Sequence, residues 1–162
     1  MNKVSSLFDI LANTSSRKSK EKIIKENKDN ELFVKSLTFL LDDFTITGIS
    51  KKKISKKITN RESKLVIHSI EGMFNYLIKN NTGRDEDIYQ IQKFIENQDS
   101  SLKEFLEGLV TKSTRLGITA KTLNKIIPDS VREFGVILAE PYSKNMNKVN
   151  GKEDFILTTK LD

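Results

Sequence analysis

The 162-residue sequence contains no cysteine. That excludes a disulfide framework, a cysteine-based zinc site and a thiol nucleophile. It contains one histidine, His68, so a histidine-rich metal site is excluded and any Ser-His-Asp triad would have to use that residue. Two prolines and seven glycines are too few for a many-turned all-β fold. No apolar run approaches the roughly 18 residues of a membrane span. Met1-Asn2-Lys3 is not followed by the apolar stretch of a signal peptide. The expectation is a soluble cytoplasmic protein with no membrane role. What remains is polar but foldable: 36% hydrophobic and 31% charged. A chain of this size can bury about 70% of its unfolded surface.

The charge is segregated. Residues 1–61 hold 14 Lys+Arg against 7 Asp+Glu. Residues 62–110 hold 5 against 9, and residues 111–162 hold 9 against 6. Two basic flanks around an acidic middle can fold into one basic face. Such a face would bind a polyanion by releasing its counterions. The same composition also fits a generally lysine-rich surface. The Lys51-Lys52-Lys53 and Lys56-Lys57 clusters carry the same two readings, a solvated loop or a loop lying near phosphates.

Apolar spacing is helical nearly everywhere. Leu7, Ile10 and Leu11 share one face of a first helix. Ser16 or a neighbour can cap a second, carrying Ile23 and Ile24, and Asn30 a third, carrying Phe33, Leu37, Leu40 and Leu41. Residues 44–58 have no clear period and read as loop or short turns. Thr59-Asn60-Arg61-Glu62 has capping-box spacing and precedes a stripe of Val66, Ile70, Met73, Phe74, Leu77 and Ile78. Ile88, Ile91 and Ile95 mark the next helix. Ser101-Leu102-Lys103-Glu104, a second capping box, opens one with Leu102, Phe105, Leu106, Leu109 and Val110. A last short helix spans about Ala120 to Ile127 and stops at Pro128. Residues 139–154 are polar and aperiodic, and residues 155–162 are β-prone. The predicted fold is all-α, a bundle of about six or seven helices. It divides into a helical domain over 1–138, a linker over 139–154, and one terminal β-prone segment over 155–162. The predicted core includes Leu11, Leu37, Leu41, Ile70, Phe74, Leu77, Leu102, Phe105, Leu109, Leu123 and Ile126.

Two stretches carry chemistry. In residues 113–129, Gly117 permits a tight turn and Thr119 can cap the helix that follows. Leu123, Ile126 and Ile127 face inward, and Lys121, Asn124 and Lys125 lie on the opposite face. Arg115 and Lys121 flank a helix N-terminus, which has free N–H groups and a positive dipole end. This suits a phosphate backbone, though a helix–turn–helix base reader could look similar. The second stretch is Thr158-Thr159-Lys160-Leu161-Asp162. A lysine on a strand edge with Asp two residues on begins a K-x-D-G motif. An amine there can attack a nucleotide α-phosphate once its pKa is lowered.

Taken together and in order, these stretches resemble the N-terminal DNA-binding domain of ATP-dependent DNA ligases, most closely the T-even bacteriophage type. The resemblance runs along nearly the whole chain. It includes residues 8–24, Lys28-Asp29-Asn30-Glu31-Leu32, Arg115-Leu116-Gly117-Ile118, Asn124-Lys125, Ile127-Pro128, Ala139 with Tyr142, and Lys160-Leu161-Asp162. It implies that Lys160 is the lysine–AMP nucleophile, with Thr158 beside it at the nucleotide. ATP and Mg2+ would serve the full-length enzyme, and neither is expected to be bound by these residues alone. The AMP would pass to a nick 5′-phosphate and leave as the 3′-hydroxyl seals the strand. The sequence ends at Asp162, before the motif's Gly. The nucleotidyltransferase and OB-fold domains are expected beyond it, and the 162 residues alone are expected to be inactive.

The resemblance also implies duplex contacts from Ser16, Arg17 and Lys20, joining Arg115, Gly117, Thr119, Lys121, Asn124 and Lys125. The expected partner is nicked duplex DNA, bound through phosphates and the minor groove by a monomer without sequence preference. The setting would be the cytoplasm of a bacterial host. No metal site is expected. His68 reads as a partly buried or surface residue of a long helix, and Asp85-Glu86-Asp87 as charge complementing a helix start. Tyr76, Tyr89 and the phenylalanines at helical spacing read as core rather than as base-stacking platforms. The competing functions are a non-enzymatic helical DNA-binding regulator and a partner-binding helical bundle.

Overall fold

The computed structural model describes residues 1–58 and 64–133. The Thr59–Glu62 capping box, the linker over 139–154 and the β-prone segment with Thr158 and Lys160 lie outside the described residues. Among those described, the fold is all-α with no strand. The helices are α1 (Asn2–Asn13), α2 (Arg17–Glu26), α3 (Glu31–Leu41), α4 (Lys51–Ile54), α5 (Ile70–Lys79), α6 (Asp85–Glu96), α7 (Ser100–Val110) and α8 (Ala120–Ile126).

Helix α7 is the centre of the bundle and packs against α1, α3 and α6. Its stripe of Leu102, Phe105, Leu106, Leu109 and Val110 is buried throughout. Helix α3 lies against α1 and α5, α4 rests on α6, and α2 pairs with α8. Aromatic rings join the layers. Phe8 meets Phe33 and Phe105 edge-on, at centroid distances of 5.9 and 5.0 Å. Phe39 stacks on Phe74 at 4.3 Å. Each such pair contributes about 0.5–1.5 kcal/mol beyond its burial. The expected core positions are buried except Leu41 and Ile126, which are partly exposed and pack against the core edge.

Side-chain caps set most helix starts. Ser16, Asn30, Ser50, Ser69 and Thr119 each accept a hydrogen bond from the backbone N–H three residues on. Each such cap stabilises its helix by about 1 kcal/mol. At α6 the direction is reversed: Asp87, 1% exposed, accepts from the Arg84 backbone N–H at 3.2 Å and from the Tyr76 hydroxyl at 3.2 Å. Burial, with the Asp87 charge beside it, pushes the Tyr76 phenol up to about 12. The Asp85-Glu86-Asp87 run thus serves the helix start. Among the described residues there is no group of three or more His, Cys, Asp or Glu placed to hold a metal ion.

Four expectations are corrected. Ile10 is 50% exposed, and the inner face of α1 is Val4, Leu7, Phe8 and Leu11. Helix α5 starts at Ile70, so Val66 and His68 precede it as exposed residues of a non-helical segment. The reason is Gln90 on α6. Its side chain donates to the Lys64 carbonyl at 3.1 Å and accepts from the Val66 N–H at 3.1 Å. Ile67, between the two exposed residues, is buried in the core. Ile78 likewise faces outward. At α7, Ser101 is not the cap: the helix already runs at Ser100, following Asp99. The 44–58 stretch, by contrast, is loop and short turns as expected, with one helical turn, α4.

Residues 44–50 follow the end of α3 and lie on the 80–84 turn, glycine against glycine. Gly48 (φ +68°) and Gly83 (φ +60°) both have left-handed backbones. A Cβ on Gly48 would overlap the Asn81 carbonyl, and one on Gly83 would overlap the Gly48 carbonyl. Gly48→Ala should lower stability by about 2 kcal/mol or more, from the left-handed conformation together with the clash. Urea unfolding checks this as a fall in midpoint at unchanged slope.

Candidate nucleic-acid interface

A groove of about 870 Å³ runs between two irregular walls, residues 40–50 and residues 111–120. Neither wall has a ladder of backbone hydrogen bonds to hold it. Side chains supply the missing partners, and lysines supply most of them.

The first wall starts at Asp42, which is 8% exposed. Its carboxylate accepts from the Phe44 N–H at 3.0 Å, the Thr45 hydroxyl at 2.8 Å and the Arg132 guanidinium at 2.8 Å. Burial alone would raise its pKa, but the Arg132, Thr45 and Phe44 hydrogen bonds outweigh that and hold it below the usual carboxylate value. Arg132 also covers the Phe44 ring, 5.2 Å from its centroid. Beneath, the Lys112 ammonium donates to the Asp42 carbonyl, and to the Thr45 carbonyl at 2.8 Å. Burial pushes Lys112 below the usual lysine value, opposed by the charges of Asp42 and Asp43. At the far end Lys53 donates to the Gly48 carbonyl at 2.9 Å and the Gly83 carbonyl at 3.4 Å.

The second wall is the turn from α7 to α8. Lys112 itself has φ +50° and Gly117 φ +62°. Lys20 of α2, only 6% exposed, donates its ammonium to the Leu116 carbonyl. A Cβ on Gly117 would meet that nitrogen at 2.7 Å. Glycine is favoured here by its left-handed backbone, and a larger residue would also displace the Lys20 ammonium. Thr119 then caps α8 at the Thr122 N–H, 3.3 Å away.

The expected site residues fall into two groups. Arg17, Arg115, Lys121 and Lys125 are exposed cations, and Ser16, Gly117 and Thr119 are exposed neighbours that shape their surroundings. The packing of α2 on α8 brings the two sequence-distant sets to one side. Arg17 pairs with Glu21 at 3.0 Å and Lys125 with Glu21 at 3.8 Å. Another cleft, of about 430 Å³, is lined by Lys22, Lys25, Lys28 and Lys125 together with Glu21, and carries a net positive surface along α2 and just past its end.

Lys20 and Asn124 belong to the other group. Lys20 holds the turn from inside and presents no ammonium outward. Asn124 donates to the Val131 carbonyl at 2.7 Å and accepts from the Val131 N–H at 2.9 Å and the Ser130 hydroxyl at 3.0 Å. Its amide organises the chain after α8. Helix α8 is seven residues long, so its dipole adds little and the cations dominate. Lys160 and Thr158 lie outside the described residues.

Asp42, Lys112 and Arg132 were not singled out in the sequence, and Lys53 was read only as part of a lysine cluster, in a solvated loop or near phosphates. Their partners are backbone carbonyls and a carboxylate far along the chain, and no local spacing signals such contacts. Among the described residues no helix is long and apolar enough to cross a membrane.

Two stability tests follow from this construction. Lys20→Met keeps the aliphatic stem but leaves the Leu116 carbonyl without its donor. It should lower stability by about 1–3 kcal/mol, whereas Arg17→Ala at the exposed pair should change it by less than about 0.5 kcal/mol. Asp42, with its native pKa depressed, contributes stability that is present above its unfolded value near 4. That stability is lost as pH falls through the lower native value. Asp42→Asn should therefore flatten the fall in urea midpoint between about pH 5 and about pH 2.

Compared with family models, curated proteins and solved structures, the chain matches none of them.

Proposed function

We propose that this chain is the duplex-DNA-binding region of an ATP-dependent DNA ligase acting in the bacterial cytoplasm. It would hold nicked DNA through phosphates and the minor groove, without reading sequence. The observation that carries the DNA reading is the convergence of Arg115 and Lys121, around the Gly117 turn, with the basic surface of α2. Two sequence-distant segments, α2 and residues 115–125, thereby bring exposed cations to one side. The ligase assignment rests on the ordered resemblance that ends at Lys160-Leu161-Asp162. In that reading Lys160 of the full-length enzyme carries AMP, Thr158 adjoins the nucleotide, and ATP and Mg2+ are supplied to domains beyond these residues.

The geometry favours a backbone grip over a base reader. Base readout needs side-chain amides or guanidinia free to face base edges. Asn124, the residue of α8 best suited to adenine, has its amide occupied by Ser130, Val131 and the Glu133 carboxylate. A regulator with α8 as reading helix would need that amide released.

If about five phosphates are neutralised, the logarithm of the binding constant should fall with the logarithm of salt at a slope near −4 to −5. Arg115→Ala and Lys121→Ala should each flatten the slope by about one unit and weaken all duplexes alike. Lys64→Ala and Lys103→Ala, in the acidic middle of the sequence, should do little. Fluorescence-anisotropy titrations of nicked, intact and unrelated duplexes at several salt concentrations provide the test. A strong preference for one sequence would favour the regulator. Absent or salt-independent binding would leave the partner-binding bundle.

A further inference from the structure

Residues 42–50 form a loop that is braced to an unusual degree and yet ends in an exposed apolar tip. Ile46 is 64% exposed, the most exposed large apolar side chain among the described residues, and Phe44 is 47% exposed. A single exposed isoleucine is ordinary on a protein surface. This one differs in its support and its position. Lys112 holds the carbonyl immediately before it, that of Thr45. The Thr47 hydroxyl immediately after it is turned inward and accepts from the Ile49 N–H at 3.3 Å. Thr47 itself is buried, so the tip cannot relax by folding Ile46 under without expelling Thr47. Ile46 also lines the same groove as Arg115 and Lys53. An apolar projection is thereby fixed across a groove from an exposed guanidinium.

We propose that Ile46 is the apolar contact of the duplex site, seating against the deoxyribose faces of the strand whose phosphates Arg115 engages. The inference rests on the DNA-binding reading above and adds a residue and a chemistry to it. Charge complementarity names the occupant, because the other wall of the groove that Ile46 lines carries Arg115. A nucleic-acid strand alternates phosphates with sugars, and in B-form DNA the sugar edges along the minor groove are largely apolar. An apolar side chain held beside a phosphate-binding cation fits that alternation. In an RNA duplex the same surface carries 2′-hydroxyls, and covering one with isoleucine would strip its water without replacing the hydrogen bond. Ile46 therefore favours DNA over RNA. Asp43, also on the groove lining, repels phosphate and confines the strand to the Arg115 side.

Counterion release and apolar burial separate cleanly in one experiment. The chain, Ile46→Ser, Ile46→Leu and Arg115→Ala are titrated by anisotropy against a DNA duplex and an RNA duplex of the same sequence, at several salt concentrations. Ile46→Ser should weaken DNA binding by about tenfold at every salt concentration, with the salt slope unchanged. RNA binding should hold or tighten, because serine removes the isoleucine that strips water from the 2′-hydroxyl, so the DNA preference collapses. Ile46→Leu should restore most of it. Arg115→Ala should instead flatten the slope. If Ile46→Ser binds DNA as tightly as the parent chain does, the inference is overturned while the DNA-binding reading stands. If Ile46→Ser changes the slope, or weakens DNA and RNA equally, the contact is not to the sugar face and the inference is likewise overturned. If the parent chain binds neither duplex, both readings fall.

Discussion

Three lysine ammoniums turned onto backbone carbonyls hold the irregular part of this molecule. Lys20 reaches Leu116, Lys112 reaches Asp42 and Thr45, and Lys53 reaches Gly48 and Gly83. The helices need no such help, because their own hydrogen bonds and apolar stripes suffice. The 42–50 loop and the 111–119 turn have only isolated backbone hydrogen bonds, such as Thr45 N–H to the Asp42 carbonyl at 3.1 Å and Ser113 N–H to the Gly108 carbonyl at 3.0 Å. An ammonium suits the task because it offers three donors on a long stem, and hydrogen bonds to charged groups contribute about 1.5–3 kcal/mol each. Without these contacts the two walls of the groove would have no fixed separation.

That use of lysine changes how the basic composition is read. Counting charges along the sequence treats every lysine as a free cation. In the folded chain Lys20, Lys53 and Lys112 serve carbonyls, and Lys56 pairs with Asp85 at 2.8 Å. The cations that face outward beside the groove and α2 include Arg115, Lys121, Lys25 and Lys28, together with Arg17 and Lys125, which share Glu21, and Lys22, which pairs with Glu26 at the surface. The surface is positive through placement as much as through number. Its reach into solvent falls off over about 10 Å at moderate salt. A strand must therefore enter the groove region to feel it fully, which puts it within reach of Ile46.

Helix-scale features were legible in the sequence because they depend on neighbours three or four residues apart. Ser16, Asn30 and Thr119 were readable as caps, and the stripes of α3 and α7 as core. The Gly117 turn was also readable, from glycine followed by a capping threonine. Features set by distant partners were not. Nothing near Val66 signals that Gln90 will hold Lys64 and Val66 extended and delay α5 to Ile70. Nothing near Lys20 signals a carbonyl 96 residues away. Asn124 misled for the same reason: its spacing put it on the outer face of α8, but the chain returns at Val131 and occupies its amide.

The most direct test of a duplex seated in this groove is an amide chemical-shift titration of the isotopically labelled chain with a short nicked duplex. The account predicts that perturbed amides cluster at residues 44–48, residues 113–121 and the start of α2, and that the exposed faces of α5 and α6 stay unchanged. Perturbations centred on α5 and α6, or none at saturating duplex, would contradict it.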